Sequence, residues 1–418
     1  MDNNSIHTTV PQLRFPDFAN DGEWEKDAFE NTFLFLPNNT LSRAELNYEK
    51  GSTKNVHYGD VLIKFGDCLD VQTNVLPFIS DEAIADKLQR SRLQDGDVVI
   101  ADTAEDETVG KCTEIFNISG ENVVSGLHTI PVRPKKQFAI PYLGFYFNSN
   151  SYRKQLLPLM QGVKVMSISK TAISKTIVAY PNLLSEQCKI GSCLSSMDAY
   201  ISATKAKLEL LKTYKKGLMQ KLFPAKGKKL PELRFKEFEK DGEWEEKKVS
   251  EIFHITRGYV LPTSETKNVP DEEYKYPVYS SQTANNGLMG FYNRALFKDA
   301  ITWTTDGANA GTVRFRNGEF YCTNVCGVLI SDEGYANPCI AEIIGAVSKK
   351  YVSLVGNPKL MNNVMAEIPI CVPSLTEQRK IADCLNSIDE MINQYTSKVA
   401  LLEQYKKGLM QQLFPTSK

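Results

Sequence analysis

Apolar residues recur along two long stretches of this chain at alternating steps of four and three. In the first the positions are Ile190, Leu194, Met197, Ile201, Thr204, Leu208, Leu211, Leu218 and Leu222. In the second they are Ile381, Leu385, Ile388, Ile392, Tyr395, Val399, Leu402, Leu409 and Leu413. A mean spacing of 3.5 residues is the seam of a coiled coil. Each stretch begins beyond a proline (Pro181, Pro373) and stops at another (Pro224, Pro415), where a helix must end. The pattern predicts two long helices, about 50 Å from Ile190 to Leu222 at 1.5 Å per residue, that pair antiparallel. Each seam carries one lysine, Lys215 and Lys406. Gly217 and Gly408 lie inside the helices, where glycine costs about 1 kcal/mol and points to another backbone passing close.

Elsewhere the pattern is that of strands. Residues 245–372 contain the short β-branched or aromatic runs Tyr276-Pro-Val-Tyr, Gly290-Phe-Tyr, Ala300-Ile-Thr-Trp and Cys326-Gly-Val-Leu-Ile, punctuated by Gly, Asn and Asp. Arg316-Asn317-Gly318-Glu319 predicts a two-residue hairpin. That turn puts Phe315 opposite Phe320 and Val313 opposite Cys322, with Arg316 facing Glu319 and Arg314 facing Tyr321 on the other side.

The chain repeats itself, and a repeat outranks any single motif. Pro11-Gln-Leu-Arg-Phe and Asp21-Gly-Glu-Trp-Glu return as Pro231-Glu-Leu-Arg-Phe and Asp241-Gly-Glu-Trp-Glu, 220 residues on. The block Ser185 to Pro224 returns as Thr376 to Pro415, 191 residues on, with 22 of 40 positions identical. Tyr-Lys-Lys-Gly-Leu-Met-Gln closes both helices. Between these frames residues 25–182 and 245–372 diverge, with only faint echoes: Gly96-Asp-Val-Val-Ile and Val109-Gly-Lys111 against Asp299-Ala-Ile-Thr-Trp and Ala310-Gly-Thr312, and Ser125-Gly-Leu-His128 against Cys326-Gly-Val-Leu329. One scaffold presenting two unlike surfaces is the implication. The expected class is α+β: two β-rich domains joined by two long helices in an antiparallel coiled coil, related by a pseudo-twofold repeat. The expected divisions are 1–182, a central helix and linker at 183–230, 231–373, and a C-terminal helix at 374–418.

A rigid rod carrying two surfaces suits a ligand with a fixed repeat, and duplex DNA is one. The net charge of −1 opposes this, since DNA binders are usually basic. Charge is uneven, however: residues 185–229 carry ten lysines against Glu186, Asp198 and Glu209. In the second domain the amide-rich loop Ser280-Ser-Gln-Thr-Ala-Asn-Asn-Gly offers groups that pair with base edges. The expected contacts there are Tyr259, Ser281, Gln282, Thr283, Asn285, Asn286, Thr305, Asn309 and Arg314, with Arg316 read as satisfied by Glu319. The first domain's expected contacts are Arg43, Lys54, Lys64, Thr103, Lys111, Ser125, His128, Lys164 and Lys170. The helix ends, Tyr214, Lys215, Lys216, Leu218, Met219 and Phe223 with Tyr405, Lys406, Lys407, Leu409, Met410 and Phe414, read as docking surfaces for another protein.

Pro-x-Leu-Arg-Phe and Gly-Glu-Trp opening each half, Glu186-Gln-x-Lys-Ile190 and Glu377-Gln-Arg-Lys-Ile381, and Tyr276-Pro-Val-Tyr-Ser-Ser with Asn285-Asn-Gly and Gly290-Phe-Tyr-Asn resemble the specificity subunit of type I restriction–modification systems. The resemblance covers the whole chain. It implies two target recognition domains, each reading half of a bipartite DNA site. It also implies double-stranded DNA, two methyltransferase subunits and a motor-nuclease subunit as partners, with S-adenosylmethionine, ATP and Mg on those partners and no cofactor here. The first region matches the common domain pattern less closely than the second.

Catalysis by the chain itself is not expected. It has no Gly-x-x-x-x-Gly-Lys-Ser/Thr loop, no Asn/Asp-Pro-Pro-aromatic run, and no carboxylate–lysine cluster of the kind a metal nuclease needs. Cys322 and Cys326 have no histidine near them, so no metal site is expected. Nine scattered cysteines, no membrane-length apolar run and no signal-like start fit a reducing cytoplasm. Two other readings stay open: the specificity subunit of a fused methylase–nuclease system, and a protein-binding scaffold with no DNA role.

Overall fold

Both seams fold as helices. The structure, a computed structural model, describes residues 9–225, 227–282 and 284–415. In it α1 is Leu184–Leu222 and α2 is Leu375–Leu413, 39 residues each and so about 58 Å long. Among the described residues no helix is long and apolar enough to cross a membrane. The chain divides into two compact units, Met1–Lys205 with Ser397–Lys418, and Ala206–Thr396. Each unit therefore holds one β-rich head and a part of both helices.

In the first unit the head is built on a five-stranded sheet of β1 (Phe33–Phe35), β2 (Cys68–Asp70), β3 (Val98–Ala101), β4 (Cys112–Phe116) and β5 (Thr129–Pro134), in the order β1-β5-β3-β4-β2. β2 lies parallel to β4 while the neighbours of β3 are antiparallel. The second unit's sheet contains β6 (His254–Arg257), β7 (Tyr276–Tyr279), β8 (Leu288–Tyr292), β9 (Phe297–Thr304), β10 (Val313–Cys322) and β11 (Cys326–Ile330), ordered β6-β11-β9-β10-β7-β8. There too β7 is parallel to β10 and the rest antiparallel. The heads thus share strand order and direction where their sequences share little. Short strands at 46–47, 54–56, 78–79 and 123–125 add a second sheet to the first head alone, which accounts for its greater length.

The repeated motifs close each head onto its helices. Arg14 forks onto Glu186 of α1 at 2.7 and 2.7 Å and donates to the carbonyls of Asp21 and Gly22. Arg234 does the same to Glu377 of α2 at 2.8 and 2.8 Å, and to Asp241 and Gly242. Both glutamates are 1% exposed, so these are desolvated, bidentate ion pairs. Gln187 and Gln378, the next residues, donate to the carbonyls of Pro181 and Pro373. Arg, Gly, Trp, Glu and Gln, common to the two halves, are the residues of this clasp.

Helix ends are core. Phe414 is buried against Trp24, Tyr142 and Tyr146, and Leu222 packs with Trp244 in the second unit's core. The seam lysines are not free for docking. Lys406 lies between Asp67 and Asp198, each at 2.6 Å; Lys215 pairs with Asp389 at 2.8 Å and reaches Glu342 at 3.7 Å. Asp198 and Asp389 are themselves repeat equivalents, so the same Lys–Asp pair closes the helices in each unit with the roles exchanged. In the first unit Lys205–Glu403 and Asp198–Lys406 fix an antiparallel register, which a single polar seam position is well suited to specify.

Three expectations change. The predicted hairpin does not exist: β10 runs unbroken from Val313 to Cys322, and Asn317-Gly318 lies opposite a bulge at Asp299 in β9. Gly318 has φ +75° and its N–H donates to the Asp299 carboxylate at 2.7 Å. Pairing is Phe297 with Phe320, Ala300 with Arg316 and Thr302 with Arg314. Gly217 and Gly408 face open space, and within the two long helices the glycine that a neighbouring backbone demands is Gly191, where a Cβ would stand 1.7 Å from the Pro141 carbonyl oxygen. Half of the mid-chain lysines are paired with acids: Lys189 with Asp17, Lys205 with Glu403, Lys212 with Glu209, Lys215 with Asp389 and Lys221 with Glu232.

Candidate nucleic-acid interface

In the second head two arginines on β10 hold the amide loop. Arg316 is 8% exposed, its guanidinium 3.7 Å from the centre of the Tyr279 ring. It donates to Thr302 Oγ1 at 3.0 Å and to the Asn286 carbonyl at 2.8 Å. Burial pulls its pKa down, and among the described residues no carboxylate pairs with it. Arg314 donates to the Asn286 side chain at 2.9 Å. Asn285 and Asn286 take φ of +48° and +56°, a conformation that asparagine tolerates best among residues with a Cβ. Gln282 donates to the Leu288 carbonyl, and Asn309 to that of Ser281 at 3.4 Å. Ser281, Gln282, Asn285, Asn286, Asn309 and Arg314 therefore form one surface. Tyr259, 64% exposed, adjoins it through its backbone bond to Cys322. Thr283 lies outside the described residues.

Thr305 departs from this surface. It is 0% exposed, and its hydroxyl donates to Asp306 at 2.7 Å and accepts from Arg257 at 3.4 Å, so it is a core position and not a contact residue. Arg316 is the residue sequence reasoning missed. The expected hairpin register paired it with Glu319, whereas in the continuous β10 it pairs with Ala300 and is enclosed by Tyr279, Thr302 and Asn286.

The first head gathers a different set. Asp60, 1% exposed, accepts from Arg43 at 2.7 Å and Lys64 at 3.0 Å. Burial alone would raise its pKa, but the two cations outweigh that and hold it below the usual value. One carboxylate against two cations leaves this cluster net positive at its exposed edge, where Tyr48 bonds both. His57, its pKa lowered by burial and then by Arg43, stacks beside Tyr58, whose ring meets His128 edge-on at 5.2 Å. His128 lies 3.4 Å from Asp102, to which Thr103 donates at 2.7 Å.

The remaining first-head residues scatter. Lys54 pairs with Glu121 at 3.1 Å; Lys170 reaches the Leu36 carbonyl at 3.4 Å; Lys164 is exposed on a separate loop. Lys111 is half-buried, donating to the Leu62 carbonyl at 2.7 Å, with its pKa lowered by burial. Ser125 is 0% exposed and bonded to Thr129 at 2.7 Å, so it belongs to the core and not to a contact surface.

Of the helix-end residues, Tyr214 and Tyr405 are 57% and 59% exposed and Lys216 and Lys407 are bare. Leu218, Met219 and Phe223 pack on the second core, and Leu409 and Met410 on the first. Phe414, like Lys215 and Lys406, is taken up inside the chain. Beside these ends lie matching clefts, one lined by Lys215, Lys216, Met219 and Gln220 and the other by Lys406, Lys407, Met410 and Gln411, the same four positions of the repeat. Among the described residues no cluster of histidine, cysteine and carboxylates could hold a metal.

Residues 55–213 and again 241–403 match the family described as type I restriction modification DNA specificity domain. The chain belongs to that family. As a type I specificity subunit it carries two copies of the family's domain. It is 40% identical over 143 residues to the N-terminus of a putative type I specificity subunit of Mycoplasma pneumoniae, covering 34% of this chain and 75% of that one. It is 25% identical over 354 residues to a putative type I restriction enzyme specificity subunit of Methanocaldococcus jannaschii, covering 77% and 78%. A crystal structure of a type I restriction–modification system S subunit from M. genitalium superposes with a TM-score of 0.63 at 16% identity, over 98% of this chain and 100% of that one. At that identity the likeness speaks for the fold.

Proposed function

We propose that this specificity subunit reads a bipartite DNA sequence, one half with each head, with an unread gap between the halves. The observation that carries the reading is two sheets of one topology, set on matching clasps, that bear unlike polar faces: amides and arginines in one head, histidines and an Asp60-bridged cation pair in the other. Amide and guanidinium groups are the side chains that pair with base edges, and exposed cations those that meet phosphates.

The partners proposed are two methyltransferase subunits and a motor-nuclease subunit, acting in the cytoplasm, which would bring S-adenosylmethionine, ATP and Mg. The two equivalent helix ends, with Tyr214, Lys216 and Gly217 matched by Tyr405, Lys407 and Gly408, favour one kind of partner bound twice. The chain itself would select the site and leave chemistry to those partners.

Methylation-sensitive sequencing of DNA from cells expressing the chain with its partners tests this. A methylated motif of two unlike halves is expected, and replacing residues 245–372 with another insert should change one half only. Change in both halves, or in neither, would overturn the assignment.

A further inference from the structure

Large apolar side chains left bare in water call for an occupant when they recur in one place. Val163 is 100% exposed and Val165 53%; Leu354 is 77% exposed and Val355 91%. Both pairs crown the same kind of loop. In the first unit Gln161 and Ser167 exchange backbone hydrogen bonds of 2.9 and 2.8 Å across five intervening residues; in the second, Ser353 and Lys359 do so at 2.8 and 3.0 Å. Each loop is tied down at its base. Ile168, 4% exposed, donates to the Asp102 carbonyl at 2.9 Å, and Leu360, 0% exposed, to that of Thr305 at 2.8 Å. The ties place each tip beside a polar loop: Met166–Ser167 pairs with Thr103–Ala104, and Lys359 bridges Asp306.

We infer that each tip is an apolar wedge that enters the DNA duplex and packs its valine against the bases of that head's half-site. The inference rests on the proposed DNA reading. Sequence decides between DNA and a protein as the occupant. A partner bound twice would meet the same residues twice, as the helix ends offer. The two tips, Gly162-Val-Lys-Val-Met and Leu354-Val-Gly-Asn-Pro, share only Val163 and Val355 at one place. A common valine with unlike flanks suits two stretches of duplex that share a groove shape and differ in bases. The apolar surfaces a duplex offers are thymine methyls and the faces of unstacked base steps, which branched apolar side chains such as leucine and isoleucine enter. Lys164, between Val163 and Val165, forms no ion pair among the described residues and is placed to meet a phosphate. An anchored base also means that little conformational freedom is lost on binding.

The test uses the full chain assembled with its methyltransferase subunits and a labelled duplex carrying the motif found by methylation-sensitive sequencing. Val163→Ser with Val165→Ser, and separately Leu354→Ser with Val355→Ser, should each weaken binding at least tenfold. Each double variant should also lose discrimination at its own half-site alone, with thermal unfolding unchanged because the side chains are bare. Unaltered DNA affinity overturns the wedge, as does weakened assembly with the methyltransferase at unaltered DNA affinity. If the unsubstituted assembly itself shows no sequence preference, the DNA reading fails and not the wedge alone.

Discussion

Lys406 is the point at which the first head, α1 and α2 meet one charge, and Lys406→Met tests what that charge does. The ammonium is 14% exposed, as is Asp67, while Asp198 is 41% exposed. Removing one partner of a fully buried pair costs about 3–5 kcal/mol; solvent at Asp198 reduces this, and about 2–3 kcal/mol is expected. The assay is hydrogen exchange of residues 184–205 and 397–413 in the full chain, which reads local opening. A loss of that size speeds exchange roughly 30- to 160-fold at about 1.36 kcal/mol per decade. The pH dependence is also fixed in sign. Burial raises the Asp198 pKa against the opposing pull of Lys406, so deleting the lysine raises it further. A carboxyl whose folded pKa exceeds its unfolded one binds extra protons in the native state, so stability returns as pH falls through the raised value. The lysine's own pKa is also raised, burial being outweighed by Asp67 and Asp198, and its contribution is constant below about pH 10. The deficit should therefore shrink from pH 7.5 to pH 5, after correction for intrinsic rates, and adding Asp198→Asn should recover much of it. Exchange within threefold of the parent, or a deficit that grows on acidification, would refute the reasoning.

Glu114, fully buried with its pKa pushed up to about 7 by burial, should make the first unit lose stability as pH rises from about 4.5 to 7. Glu114→Gln should flatten that slope in hydrogen exchange of β4 and residues 143–148, and equal slopes would refute it. Arg234→Met should destabilise the second unit by about 3 kcal/mol in urea unfolding, by stranding the buried Glu377 carboxylate; Arg234→Met with Glu377→Met should recover most of the loss, and a double variant no better than the single would contradict the clasp. Gly217→Ala should raise thermal stability by up to about 1 kcal/mol, whereas Gly191→Ala, whose Cβ would strike the Pro141 carbonyl, should lower it clearly; like-signed effects would refute the assignment of backbone approach. Arg316→Lys, keeping charge but not the fork or the ring contact, should weaken reading of the second half-site alone, and an unchanged motif would show the loop is held by other means.

Helices, their register and the paired heads were legible because they rest on local regularities. A 3.5-residue period needs no knowledge of distant residues, and a repeat declares one fold twice. Arg14, Trp24 and Glu186 stood out by recurrence, yet their meaning did not. That Arg14 grips Glu186, 172 residues away, is a fact of three dimensions. The seam lysines were visible as interruptions but read as outward-facing, because the acids that neutralise them come from another helix and from the heads.

What tertiary structure alone decided is where polar groups turn. A bulge at one residue, Asp299, cancels a strong turn signal, because φ of +75° at Gly318 fits a bulged strand as well as a turn, and the pairing partner settles which forms. Arg314 and Arg316, two places apart on β10, share a face, and it is the Tyr279 ring and the Asn286 carbonyl that bury Arg316 while Arg314 reaches only the Asn286 side chain. Ser125 and Thr305 have the chemistry of contact residues and the burial of core ones. Sequence supplied the kinds of group each head can offer; only long-range pairing, which no local period encodes, decided which of them meet solvent.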